Sequence, residues 1–401
     1  MDNFNVQDNK VLVIRLEGRI DSNNAEALGR EIASQREEAH GALVFDARKL
    51  AYISSAGLRV LMQVMKAENK AGNEPVSLVE VSREVYDVLH MTGFTELVKV
   101  QKAYREISLE GSQLIGEGFF GKVYRLDADT IVKLYAGEDS IPMIRREQSR
   151  AKKAFIKGIP TAISYDIVRV GSQYGAVFEL LQAKSFNDLV IEYEDEPEKL
   201  EELMVLYVDC LKQVHRTEME AGELPFARDE MLDKLSVLGD CLPEEILLGL
   251  QKLLQALPDD FHVVHGDFQM KNVMLCKEEP MLIDMETLCT GQPVFDLQGL
   301  YVTYKAFPED EPDNVRNFLG IRPETAEYIW HRLLELYFGT EDEAVLTGME
   351  DKIRVAAAIR FLHLQVATPL KDSELAGLRI QHTTEHLQAL LPRVTSLAFD
   401  R

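Results

Sequence analysis

In the stretch His265-Gly266-Asp267-Phe268-Gln269-Met270-Lys271-Asn272, an Asp and an Asn stand five residues apart, and Asp284 follows Ile283 at the end of a short apolar run. No other feature restricts the fold as much. Three oxygen-bearing side chains in this layout point to one site, in which Asp267 would orient a hydroxyl and Asn272 and Asp284 would hold a divalent cation. Such a site has little covalent work of its own. It calls for a second half upstream to hold the rest of the reacting molecule.

At 401 residues and 45.4 kDa the chain is too long for one ordinary core, so two or three domains are expected. A hydrophobic content of 46% suits a folded protein. No apolar run reaches the roughly 18 residues of a membrane span. Met1-Asp2-Asn3-Phe4-Asn5 is polar and lacks a secretory core, and Cys210, Cys241, Cys276 and Cys289 form no CxxC pair. Reduced thiols and a cytoplasmic location are expected. The net charge of −23 is uneven: residues 1–104 carry 13 Lys+Arg against 15 Asp+Glu, and the remainder carries 31 against 52. That acidity disfavours nucleic acid and anionic membrane. It suits a cationic acceptor such as an amine-bearing small molecule, and equally a merely acidic soluble protein. Charge alone does not choose. Trp330 and the tyrosines do not interleave with a basic stripe, which also speaks against nucleic acid.

Residues 1–104 read as a small α/β unit. Val11–Leu16, Ala42–Phe45 and Val76–Val81 are strand-like, while Asn24–Glu38 and Ser55–Asn69 show helical spacing. A further short helix over Arg83–Met91 starts after Ser82, a suitable N-cap. The alternation points to a mostly parallel sheet covered by helices. No Gly/Ser/Pro-rich linker follows, so close docking rather than loose tethering is expected. Residues 105–401 form a second domain. It is strand-rich over about 105–182, at Leu114–Ile115, Lys122–Leu126, Thr130–Leu134, Ile163–Val170 and Tyr174–Leu181, and largely helical over about 183–401. That is an α+β bilobal arrangement.

The upstream half is present. Gly116-Glu117-Gly118-Phe119-Phe120-Gly121-Lys122-Val123 fits G-x-G-x-x-G-x-V. In a dinucleotide-binding unit a helix follows the third glycine. Here the strand-like Lys122–Leu126 follows, so Gly116, Gly118 and Gly121 cap a hairpin whose N–H groups approach phosphates. Lys133 lies within the apolar strand Ile131–Leu134, and a buried lysine needs an anion. Nucleotide phosphates and the carboxylate of Glu147, from the helix Ile144–Phe155, would meet that need. Glu179, in Phe178-Glu179-Leu180-Leu181, falls in a segment resembling the one that joins the lobes and meets adenine through its backbone.

Taken in order, Gly116–Gly121, Lys133, Glu147, Asp267, Asn272 and Asp284 resemble a kinase-type phosphoryl-transfer set. His265-Gly266-Asp267 stands where protein kinases have His-Arg-Asp, and Ile283-Asp284-Met285-Glu286 where they have Asp-Phe-Gly. With Pro293-Val294-Phe295-Asp296-Leu297, these motifs resemble the aminoglycoside/choline phosphotransferase branch over roughly residues 108–300. The resemblance implies ATP, Mg²⁺ and a hydroxyl acceptor, with Asp267 as the base and Asn272 and Asp284 as metal ligands. Only 11 residues separate Asp284 from Asp296, too few for a peptide-binding activation segment, so a small-molecule acceptor held by helices within 300–401 is expected. Asp296 and His265 are read as structural supports of the catalytic loop, and His215 as a satisfied structural histidine. Glu286 is left open between acceptor, metal and solvent.

Gly18-Arg19-Ile20-Asp21-Ser22 and Phe45-Asp46-Ala47, with Tyr52-Ile53-Ser54-Ser55-Ala56-Gly57-Leu58, resemble a STAS domain of the anti-sigma-factor antagonist type. The resemblance implies a protein partner and a phosphorylatable serine at the start of the second helix. Ser55 falls on that position, and Ser54 replaces the usual Asp. Phosphate there would meet free N–H groups and add charge to a binding face; alternatively these serines only cap the helix. The whole reads as an ATP- and Mg²⁺-dependent phosphotransferase with a regulatory or docking STAS domain. The other reading is a signalling protein whose kinase half phosphorylates a protein serine such as Ser55.

Overall fold

The computed structural model describes residues 11–38, 41–118, 121–137 and 140–399; Met1–Asn5 and the loop tip Phe119-Phe120, noted above, lie outside the described residues. Two compact units emerge, one comprising the chain to Asp127 with Ile131–Ile141 and Tyr165–Val177, the other Ala128–Thr130, Pro142–Ser164 and the chain from Phe178.

The first unit opens with β1 (Val11–Ile20), α1 (Ala25–Glu38), β2 (Ala42–Ile53), α2 (Ser55–Lys70), β3 (Ser77–Val81), α3 (Arg83–Met91) and β4 (Lys99–Lys102). The four strands are parallel in the order β1-β2-β3-β4. Crossovers through helices put apolar side chains on both faces, which is why β2 buries Leu43, Val44 and Phe45 in succession. Helix starts are set locally: Ser54 Oγ accepts from Gly57 N–H at 3.4 Å, and Ser82 Oγ from Val85 N–H at 3.3 Å. Strand β4, Lys-Val-Gln-Lys, has no apolar run and escapes a hydrophobicity reading. It is an edge strand, where exposed lysines discourage further pairing.

The same unit holds β5 (Arg105–Glu106), β6 (Gln113–Gly118), β7 (Gly121–Arg125), β8 (Thr130–Tyr135), β9 (Asp166–Val170) and β10 (Gln173–Glu179), ordered β5-β9-β10-β8-β7-β6. Strand β9 begins three residues later than the apolar run suggests, and Thr161, just before that run, forms an isolated bridge to Leu282. Val132, Val168 and Val177 form the buried centre of this sheet.

The second unit contributes α4 (Ile141–Ile156), β11 (Lys184–Ser185), α5 (Phe186–Tyr193), α6 (Pro197–Arg216), α7 (Ala227–Ser236), α8 (Glu244–Gln255), β12 (Val263–Val264), β13 (Val273–Cys276), β14 (Glu279–Leu282) and β15 (Cys289–Thr290). There follow α9 (Val294–Tyr301), a π-helical turn at Val302–Ala306, α10 (Phe307–Asp310), α11 (Asn314–Leu319), α12 (Pro323–Phe338), α13 (Glu343–Ala367) and α14 (Ala376–Leu390). Strands β11-β13-β14 and β12-β15 make two small antiparallel sheets. Leu200, Leu203, Met204, Tyr207, Leu211 and Val214 give α6 its buried stripe. In α13 the run Val355–Ile359 is buried, its three alanines letting neighbouring backbones come close. Among the described residues no helix is long and apolar enough to cross a membrane.

Candidate active site

Residues 265–272 leave β12 as an irregular loop, and their conformation follows from two neighbours. Gly266 has φ +81°, and a Cβ there would come within 2.6 Å of the Thr287 carbonyl oxygen, so no other residue fits. Asp296, fully buried in the first turn of α9, accepts from His265 N–H at 2.8 Å and Gly266 N–H at 2.6 Å. Its Oδ2 also meets His215 Nε2 at 2.9 Å, and the other nitrogen of that ring lies 2.7 Å from the Tyr337 hydroxyl. Burial pushes the Asp296 carboxyl up, but the His215 bond, the His215 and His265 charges and the backbone bond outweigh it and hold it below its ordinary value. Thr287 Oγ1 donates to the His265 carbonyl at 2.8 Å, and the Tyr207 hydroxyl to that of Phe268 at 2.8 Å.

Held this way, Asp267 is about a quarter exposed. Its Oδ1 accepts from Arg360 Nη2 at 2.7 Å and Gln269 Nε2 at 3.1 Å; its Oδ2 accepts from Asn272 Nδ2 at 3.1 Å. Asn272 Nδ2 also donates to the Asp267 carbonyl at 2.9 Å, so its amide nitrogen faces Asp267 and its Oδ1 is directed elsewhere. Ile283 N–H donates to the Asn272 carbonyl at 3.0 Å, tying the strand that leads to Asp284 onto the loop. Asp284 adopts φ 61° and ψ 58°, a left-handed conformation that Asp tolerates better than most residues.

Asp284 stands with Glu147 of α4 and Glu286: one carboxylate oxygen from each lies within 4.8 Å of the others. Hard oxygen donors at this spacing suit a hard divalent cation. Glu147 is buried and the other two are half-buried. Arg150, one turn after Glu147, hydrogen-bonds the Glu286 carbonyl and lies 3.6 Å from Glu230.

In the first unit, β6 and β7 form the expected hairpin, with Gly118 opposite Gly121. A Cβ on Gly121 would run into the Leu134 carbonyl, so the third glycine is required by the packing of β7 on β8. Gly116 has ordinary room. Lys133 sits mid-β8, half-buried, its ammonium 5.1 Å from the Tyr135 ring centroid. Glu179 ends β10 with its side chain exposed, and Leu180 N–H donates to the Asp129 carbonyl at 2.7 Å. Ser55 is exposed at the first residue of α2, directly after the capping Ser54.

Sequence reasoning missed Arg360. Its Nη1 donates to the Gly266 carbonyl at 2.8 Å while Nη2 holds Asp267, a two-pronged grip from a helix 93 residues downstream. The available signal was an arginine inside the apolar stretch Val355-Ala356-Ala357-Ala358-Ile359-Arg360-Phe361-Leu362. The reading also left Glu286 open, and the structure puts it beside Asp284.

A parallel α/β domain, a glycine hairpin on an antiparallel sheet and a helical unit bearing the Asp267–Asn272–Asp284 loop define the class: a STAS domain followed by an α+β kinase-like domain. The chain belongs to the APH phosphotransferase enzyme family, whose family model matches residues 112–336, and a STAS domain model matches residues 5–107. The N-terminal part is 38% identical over 90 residues to a protein of Bordetella bronchiseptica named as anti-sigma factor antagonist BtrV, covering 22% of this chain and 77% of that protein. Among solved structures, aminoglycoside phosphotransferase APH(4)-Ia is similar at 13% identity over 69% of this chain and 93% of its own, with TM-score 0.48. A choline/ethanolamine kinase family protein from Mesorhizobium loti is similar at 16% identity over 71% of this chain and 88% of its own, with TM-score 0.45.

Proposed function

We propose that this phosphotransferase moves the γ-phosphoryl group of ATP to the hydroxyl of a small molecule, with Mg²⁺. The acceptor oxygen attacks the γ-phosphorus, the bond to the β-phosphate oxygen breaks, ADP leaves, and the hydroxyl proton passes to Asp267 and on to solvent. The observation that carries this reading is the fixing of Asp267: donors from Asn272, Gln269 and Arg360 aim its carboxylate, while part of it stays open to solvent. Asn272 Oδ1 and the Asp284 carboxylate are the metal ligands, with Glu286 and Glu147 as neighbouring oxygen donors. When bound, the cation neutralises charge on the phosphates. Gly116, Gly118, Gly121, Lys133 and Glu147 serve phosphate binding, and the backbone around Glu179 serves adenine. The STAS domain is assigned to docking a protein partner, with the exposed Ser55 as its phosphorylation position.

Replacing Asp267 with Asn tests the assignment. Transfer is expected to be lost while ATP still binds; turnover equal to the wild type would sink it.

A further inference from the structure

His215, in the last turn of α6, is buried, and its ring spans two partners: Nε2 lies 2.9 Å from Asp296 Oδ2, and Nδ1 lies 2.7 Å from the Tyr337 hydroxyl. Asp296 in turn holds the His265 and Gly266 N–H groups, so whatever orients it orients the loop that carries Asp267. Its carboxyl is held below the ordinary value, and a carboxylate only accepts. Nε2 must therefore carry a proton. A neutral imidazole has one N–H to place, and with it on Nε2 the opposite nitrogen becomes an acceptor. The Tyr337 hydroxyl is the donor that meets it. The other tautomer would set the Nε2 lone pair against the Asp296 carboxylate, two acceptors face to face in a buried place.

Tyr337 is placed by contacts that do not involve its hydroxyl. Lys212, three positions before His215 on α6, donates to the Leu336 carbonyl at 2.7 Å and so ties the last turns of α6 and α12 together. The Tyr337 and His215 rings meet edge-on with centroids 5.6 Å apart. Tyr337 also meets Phe338 edge-on at 5.1 Å, and Phe338 packs on Phe399 at 5.1 Å. A phenylalanine at 337 would keep all of these and lose only the O–H.

We propose that Tyr337 is a positioning residue for phosphoryl transfer: its hydroxyl selects the Nε2–H tautomer of His215, and through His215 and Asp296 it sets the catalytic loop. It touches no reacting atom. This rests on the reading of Asp267 as the base and extends the groups that aim it to the last turn of α12.

Tyr337→Phe in the full chain is the test. Histidine ¹⁵N NMR at about pH 8, where an ordinary imidazole is neutral, reads the tautomer, with the His215 signals assigned by their loss in His215→Gln. The wild type is expected to carry one proton, on Nε2, and Tyr337→Phe a mixture of tautomers. Two protonated nitrogens in the wild type, or the same single tautomer in the variant, overturns the proposal. Hydrogen exchange of the His265 and Gly266 amides reads the loop. Tyr337→Phe is expected to speed it about tenfold, the scale of one hydrogen bond, and unchanged exchange counts against the relay. A Gln amide donates with no tautomer to choose, so in a His215→Gln background Tyr337→Phe should add nothing. Equal acceleration in both backgrounds would show that the tyrosine acts by packing alone and would sink the tautomer role. Mg²⁺-dependent ATP hydrolysis, with water as the acceptor, should fall about tenfold in kcat with KM for ATP unchanged; a change confined to KM contradicts positioning. Asp267→Asn should leave the His215 tautomer as in the wild type, so wild-type transfer by that variant would remove the base while leaving the hold of Tyr337 on the loop intact.

Discussion

At the scale of single residues, each carboxylate of the catalytic loop is governed by what it accepts. Arg360 holds Asp267 and the preceding carbonyl together through one planar fork, which Lys cannot reproduce. Arg360→Met is therefore expected to lower kcat on the order of a hundredfold, the effect of misplacing a reacting group by about an ångström, with KM for ATP little changed. Arg360→Lys should recover only part of it; full recovery would show that charge alone suffices. Asp296 is different, being sealed and shared by two backbone N–H groups and His215. Asp296→Ala strands these donors and should cost about 3 kcal/mol or more. Its carboxyl is held below the ordinary value in the fold, so its contribution is complete above about pH 4 and fades as pH falls through the folded-state value. Urea unfolding of wild type and Asp296→Asn from pH 7 down to 3 checks this: a stability gap that fails to narrow below pH 4 contradicts it. What was legible at this scale was local. His265, Asp267, Asn272, Asp284 and Asp296 sit within one short stretch whose spacing can be read directly. Arg360 was not, because no pattern in a sequence connects a loop to a helix 93 residues away.

At the scale of elements, boundaries followed from caps and apolar periodicity, and errors arose where those signals were weak. Helix α3 starts after Ser82 because its hydroxyl satisfies Val85 N–H, and that signature was plain. Strand β4 and the two-residue strands β5, β11, β12 and β15 carry too few side chains to show a period, and only tertiary pairing makes them strands. Helix α13 matters most for the site, since it carries Arg360. Asp342 caps it, accepting from Ala344 N–H at 2.9 Å and Val345 N–H at 3.3 Å. Asp342→Ala is expected to cost about 1 kcal/mol, seen as a lower Tm, with transfer unchanged at temperatures where the protein stays folded. A loss of transfer without a loss of Tm would mean that the first turn of α13 does more than end a helix.

At the scale of the molecule, the net charge of −23 bears on the approach of any charged acceptor. It repels small anions and attracts small cations over a Debye length, about 10 Å at 0.1 M salt. For an anionic acceptor kcat/KM should therefore rise as KCl goes from about 50 to 300 mM, as screening relieves the distant repulsion first. For a cationic acceptor it should fall over that range, and a kcat/KM indifferent to salt for both would show that the net charge does not act at the site.

The grip of α13 on the catalytic loop also has a consequence in time. A ribosome adds about 5 to 20 residues per second, so the loop is made roughly 5 to 20 s before the arginine that holds it. Until then the Asp267 carboxylate has its neighbours from 269 and 272 but not its distant one. A nascent chain that has folded everything up to α12 still lacks the arginine that holds Asp267, so this clamp closes only once α13 has been made.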